Sequence, residues 1–100
     1  MKILLLGSTG MVGTALSLVA KNRNIECIEL GHSDLDIKDP MQVEAAFKRY
    51  QPTVVFNSVA IIGDRICEPD PVKTFQINAI PVSHIAKMCE NSGAILIQPS

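Results

Sequence analysis

The sequence predicts an α/β fold built on a doubly wound parallel sheet, and two observations carry that expectation. Short apolar runs alternate with stretches of helical periodicity along the 100 residues. The first run, in "LLLGSTGMVGT", breaks into Gly7, Gly10 and Gly13, spaced three apart where a strand would hand over to a helix. Strands that alternate with helices are joined by right-handed crossovers and lie parallel in one sheet.

Lys2–Leu6 is apolar after its lysine and ends at Gly7, the pattern of a strand buried on both faces. Val12, Ala15, Leu16, Val19 and Ala20 fall near helical spacing, so a helix burying that face follows and stops at Asn22–Asn24. "IECIEL" (Ile25–Leu30) reads as the second strand, with Glu29 at odds with its apolar character. "GHSD" (Gly31–Asp34) is a turn, and Leu35–Ile37 reads as a very short third strand. Asp39 is placed to cap a helix that has Pro40 at its first position and Val43, Phe47 and Tyr50 on one face. Thr53–Asn57 ("TVVFN") is the fourth strand. Pro71–Asn91 carries a helical pattern through Val72, Phe75, Val82, Ile85, Ala86 and Cys89, with Asp70 before it as cap. Pro81 inside that helix is expected to kink or loosen a turn. Gly93 suits the helix end, and Ala94–Gln98 ("AILIQ") is the fifth strand. The pattern is that of a Rossmann-type sheet stopping after its fifth strand, one domain over residues 1–100. A domain rarely stops on a strand just completed, so these residues are expected to be the N-terminal portion of a larger chain.

Composition narrows the function classes. The chain is 47% hydrophobic and 19% charged, which is ordinary globular composition. A net charge of −1 offers no electrostatic footprint for nucleic acid or an anionic membrane, and one Tyr with no Trp offers no base-stacking platform. Cys27, Cys67 and Cys89 are odd in number and form no CxxC, so they read as small buried hydrophobes in a reducing, cytoplasmic setting. The apolar stretch in "MKILLLG" is too short for a signal peptide or a membrane span. His32 and His84 stand alone, so no metal site is expected.

The glycine run has a mechanical reading. One glycine makes the tight turn, one lets the backbone approach a pyrophosphate, and one lets the helix pack close to the strand. The anion then sits on unpaired N–H groups at the helix start, here Met11, Val12 and Gly13, with Ser8 and Thr9 as hydroxyl donors. A Walker loop is excluded because no GxxxxGK[ST] occurs.

Beyond the glycines, GxxGxxG at the N-terminus resembles the extended short-chain dehydrogenase/reductase family. "SDLDIKDPMQVEAAF" and "PTVVFNSVA" are similar to its dTDP-4-dehydrorhamnose reductase branch, with "S-E-L-D-I-T-D-P" and "P-D-V-V-I-N-A-A-A". "DRICEPDPVKTFQINA" resembles "DxAExxPxxAxxVNA", and "GAILIQPS" resembles "GAxLVxxS". The resemblance covers essentially the whole chain. It implies NAD(P)H-dependent reduction of a nucleotide-linked 4-keto sugar, with that sugar nucleotide as partner and a homodimer as the oligomer to test. It also implies roles for single residues. Asp36 would meet the adenine amino group beside Ile37, while Asn57, Val59 and Ala60 would line the cofactor. Asn78 falls on the asparagine that props the helix near the active site. Leu6, Ser58 and Val59 depart from the family pattern, Ser58 and Val59 standing where alanines are usual, and "AIIGD" is shorter than the family's segment.

An acid at the end of the second strand selects NAD by binding the ribose hydroxyls. That position is Gly31, followed by His32 and Ser33, so NADPH is favoured over NADH and dual use follows from the lack of an arginine. Asp34 and Glu29 are the nearby acids that could overturn this preference; the plain alternative is that both face solvent. The family's catalytic YxxxK is absent: Tyr50 is the only tyrosine and Val54 stands four residues on, while Ser100 precedes the family's catalytic hydroxyl position. Cys67 lies beside Glu68 and Asp70, which disfavour a thiolate nucleophile. Two other readings stay open: a nucleotide-sugar epimerase or dehydratase, and a non-catalytic regulatory subunit that keeps the dinucleotide fold.

Overall fold

The computed structural model describes residues 1–8, 10–59 and 71–98, and of 71–79 only the helical backbone. Seven elements follow in order: β1 (Lys2–Leu6), α1 (Met11–Asn22), β2 (Glu26–Leu30), α2 (Pro40–Tyr50), β3 (Val54–Asn57), α3 (Pro71–Ser92) and β4 (Ile95–Ile97). The sheet is parallel with order β2-β1-β3-β4. Ile3 of β1 faces Cys27 of β2 on one side and Val54 of β3 on the other. β1 is therefore central, and Leu4, Leu5 and Leu6 are essentially without exposed surface, as a strand covered on both faces requires.

The third predicted strand is not there: Leu35–Ile37 is turn and irregular backbone, and the sheet has four strands among the described residues. Its backbone groups are satisfied locally instead of in a ladder. The Asp36 amide donates to Gln42 Oε1, the Asp36 carboxylate accepts the Lys38 amide, and the Asp36 carbonyl accepts the Asp39 amide. Leu35 and Ile37 still turn inward. They join Leu4, Leu6 and Val55 of the sheet with Val43, Ala46 and Phe47 of α2 and Ile85 and Cys89 of α3 in one core cluster.

The crossover from β1 to β2 runs one way along the sheet and the crossover from β2 to β3 the other way, so right-handedness puts α1 and α2 on opposite faces. Among the described residues α1 packs chiefly on β1 and β2. That corrects the expected apolar face. Ala20 is buried and Leu16 half-buried, but Ala15, Val12 and Val19 are exposed, because α1 has only half a sheet beneath it. Ala86 of α3 is exposed as well, whereas Val82 is half-buried and Ile85 and Cys89 are buried as expected. α3 runs on through Pro81 as one helix. Glu29 is accommodated because β2 is an edge strand with Glu26 and Glu29 both exposed.

The helix ends follow the sequence. The Asp39 side chain accepts the Met41 amide at 3.0 Å with Pro40 in the first turn. Asn24 at φ 55° and Gly93 at φ 81° close α1 and α3, with the next amide returning to the helix (Ile25 to the Ala20 carbonyl, Ala94 to the Cys89 carbonyl).

Candidate dinucleotide site

The carboxyl ends of β1 and β3 meet at the point where the connections diverge, since β1 leads to β2 on one side and β3 to β4 on the other. In open α/β sheets ligands bind in the crevice at that switch point. The glycine turn lies on one side of it and Asn57–Val59 on the other.

Within the turn, the three glycines differ in what demands them. Gly7 sits at φ 81°, and a Cβ there would come within 2.6 Å of Ser58 Oγ. Gly13 is buried so tightly that a Cβ would overlap the Gly7 carbonyl. Both glycines are required by the protein itself. Gly10 is not: its backbone is extended at φ −78°, ψ 174°, and among the described residues a Cβ would meet only the Gly7 oxygen, at 3.6 Å. Gly10 is also the N-cap of α1 and makes no side-chain cap bond. The amides of Met11, Val12 and Gly13 in the first turn therefore lack a side-chain acceptor at the cap, with the helix dipole behind them. The chain thus presents N–H groups beside a position kept bare for no internal reason, which is the arrangement an oxyanion fits. Thr14 Oγ1 donates to the Ser8 carbonyl at 3.3 Å, and the Gly7 amide donates to the Leu30 carbonyl at 3.0 Å, tying the turn to α1 and to β2.

Opposite the turn, Asn57 has no exposed surface. Its Nδ2 donates to Gln98 Oε1 at 2.9 Å, and its Oδ1 accepts the Val59 amide at 3.1 Å. Gln98 was not signalled by the sequence: nothing in "AILIQ" says that its last side chain reaches across to β3. The Ser58 hydroxyl donates to the Leu6 carbonyl at 2.8 Å, with the Gly7 carbonyl at 3.1 Å.

At the end of β2, Gly31 is buried, and His32 and Ser33 are exposed in the turn that follows. Asp34 is exposed but does not simply face solvent, because its Oδ2 accepts the Gly31 amide at 2.9 Å. The turn thereby returns a carboxylate to the strand end whose own residue is glycine. Asp36 is half-buried with one oxygen engaged by the Lys38 amide, and the Ile37 side chain belongs to the core. Thr9 and Ala60 lie outside the described residues, as do Cys67 and Ser100; Asn78 is on α3, its side chain not described.

The remaining candidates lie away from this crevice. A cleft of about 340 Å³ between α2 and α3 is lined by Ile37, Lys38, Pro40, Ile80, Pro81 and His84. Among the described residues His84 Nε2 has no hydrogen-bond partner, and it lies 3.7 Å from Glu44 Oε2. Burial pushes the Cys27 and Cys89 thiols up from their ordinary value, Cys27 with a further contribution from Glu29. Among the described residues no group of three or more His, Cys, Asp or Glu side chains could hold a metal ion, and no helix is long and apolar enough to cross a membrane.

The model of the family described as RmlD substrate binding domain matches residues 1–100. The chain belongs to this family. A dTDP-4-dehydrorhamnose reductase of Streptomyces griseus is 32% identical over 97 residues, which are 97% of this chain and 32% of the relative. The RmlD-family chain thus spans about a third of the length of the curated relatives it matches. Among solved structures, a hypothetical dTDP-4-dehydrorhamnose reductase from Sulfolobus tokodaii matches with a TM-score of 0.84 at 27% identity, over 98% of this chain and 38% of that one. A GDP-L-fucose synthetase from Naegleria fowleri bound to NADP matches with a TM-score of 0.80 at 27% identity, over 96% of this chain and 29% of that one. The fold is of the Rossmann type, as the sequence predicts.

Proposed function

We propose that residues 1–100 form the NAD(P)-binding domain of a cytoplasmic reductase that acts on a nucleotide-linked 4-keto sugar. Gly10 is the observation that carries the dinucleotide half of this reading. It is a glycine that nothing among the described residues requires, at the uncapped start of a helix, at the switch point of a parallel sheet. The NADP bound by the Naegleria relative and the reductase names of the Streptomyces and Sulfolobus relatives support the cofactor and the reaction class.

The residues divide the work by position. The amides of Met11, Val12 and Gly13 would hold the pyrophosphate, and Gly7 and Gly13 would keep the turn compact beneath it. Asn57 and Val59 would form the facing wall, held by Gln98. His32, Ser33 and Asp34, in the turn after β2, would meet the adenosine ribose of NADPH or NADH, and Asp36 would meet the adenine. When bound, the dinucleotide supplies the hydride that reduces the sugar carbonyl. The described residues bind and orient it; Tyr50, the sole tyrosine, packs against the core from α2 and is not at the crevice.

Titration of the purified chain with NADPH and with NADH, followed by reduced-nicotinamide fluorescence, tests the reading. A saturable signal with at least one of them is expected. The absence of a saturable signal with both would sink it.

A further inference from the structure

We propose that Ser58 is a positioning residue that sets the glycine turn for a bound pyrophosphate, acting through the carbonyls of Leu6 and Gly7. The inference deepens the dinucleotide reading above and rests on it.

Ser58 is buried, 7% exposed, directly after β3 and across the switch point from the turn. Its hydroxyl has one proton and two acceptors side by side, Leu6 O at 2.8 Å and Gly7 O at 3.1 Å. Neither acceptor needs it. Leu6 O already accepts the Ser58 amide at 3.1 Å, and Gly7 O already accepts the Gly10 amide at 3.1 Å. Removal of the hydroxyl would therefore orphan no carbonyl, and its value lies in fixing orientation rather than in satisfying a buried group.

The Gly7 carbonyl is the atom on which the turn is organised. It receives the Gly10 amide, and it is the surface against which the Gly13 backbone packs so closely that no side chain fits. The other flank of Gly7 is held by its amide on the Leu30 carbonyl at 3.0 Å. With Ser58, the Gly7 peptide is gripped from β2 and from β3 at once. Gly10 and the first amides of α1 inherit that orientation. A turn ordered before the ligand arrives loses less freedom on binding, so the hydroxyl raises affinity for the anion without touching it.

The test compares wild type with Ser58→Ala and with Ser58→Cys, which fills similar space with a weak donor. Each is titrated with NADPH and with adenosine, which lacks the pyrophosphate, and amide exchange is followed at Gly10 and Gly13 by NMR. Expected for both variants are a roughly two- to ten-fold rise in the NADPH dissociation constant, adenosine binding unchanged, faster exchange at Gly10, and an unaltered melting temperature. Wild-type affinity and exchange in Ser58→Ala would overturn the proposal, as would a Ser58→Cys chain that behaves as wild type while Ser58→Ala is weakened, since packing would then be the cause. Equal weakening towards adenosine and NADPH would also overturn it. A wild type that binds neither NADPH nor NADH would overturn the dinucleotide reading itself, and this inference with it.

Discussion

Two glycines three residues apart in the same motif, Gly13 and Gly10, are built for different tenants, and substitution separates them. In Gly13→Ala the new Cβ meets the Gly7 carbonyl, backbone that cannot swing away. A stability loss of about 1–3 kcal/mol is expected in thermal melts. In Gly7→Ala the strain of φ 81° comes on top of the contact with Ser58. Gly10→Ala should change stability by less than about 1 kcal/mol, because the entropy gained at a backbone that suits any residue is offset by alanine's weaker N-cap. NADPH affinity should nonetheless fall, since the Cβ would stand where the anion approaches. A Gly10→Ala chain that binds as wild type would remove the argument for a ligand at this turn. Asp34 carries a second prediction at this scale. Asp34→Asn keeps an acceptor for the Gly31 amide and removes the charge at the end of β2. The preference for NADPH over NADH should rise roughly fivefold, the worth of about 1 kcal/mol for one charge pair near 4 Å in water. An unchanged ratio of the two dissociation constants would place the 2′-phosphate elsewhere.

Among the elements, α2 shows local signals and tertiary packing in agreement. Asp39, Pro40 and the Val43–Phe47 stripe mark its start and its buried face in the sequence, and each is found in that role. Asp39→Ala should cost about 1 kcal/mol through the lost cap, measured by urea denaturation. α1 shows the opposite. Its periodicity is that of an amphipathic helix, yet Val12 and Val19 are 40% and 48% exposed. Periodicity reports which residues share a face, but not whether an opposing surface exists. α3 brings Cys89 into the core, where burial raises its thiol. A raised pKa means that the folded chain holds the proton more tightly than the unfolded one. The associated stability is complete below the ordinary thiol value of 9.0 and is lost as pH climbs through the higher folded value. Urea midpoints should therefore fall above that ordinary value, and Cys89→Val should flatten this fall. An identical pH profile in Cys89→Val would assign it to other groups.

For the molecule as a whole, the two edges of the sheet are unlike. β2 presents the charges of Glu26 and Glu29, which discourage strand addition. β4, on the opposite edge among the described residues, presents Ile95 and Ile97, 64% and 44% exposed. Concentrated solutions of this chain should self-associate through that edge. Ile97→Lys should raise the monomer fraction in light scattering, and no change would exonerate β4.

The sequence by itself determined the parallel α/β order, the glycine turn and the caps, because these depend on neighbours within a few residues. Gly7, Asp39 and Gly93 each meet a local need that any surrounding fold would respect. What only the tertiary structure decided are the long-range partners. Leu35–Ile37 is apolar enough for a strand, but Asp36, Asp39 and Gln42 close it into a turn. Asp34 reads as a surface acid until the turn folds it back onto Gly31. Asn57 finds Gln98 forty-one residues away, and Ser58 reaches the turn fifty-one residues before it. Such contacts leave no periodicity to read, since they depend on which strands lie side by side and on where the crossovers change direction.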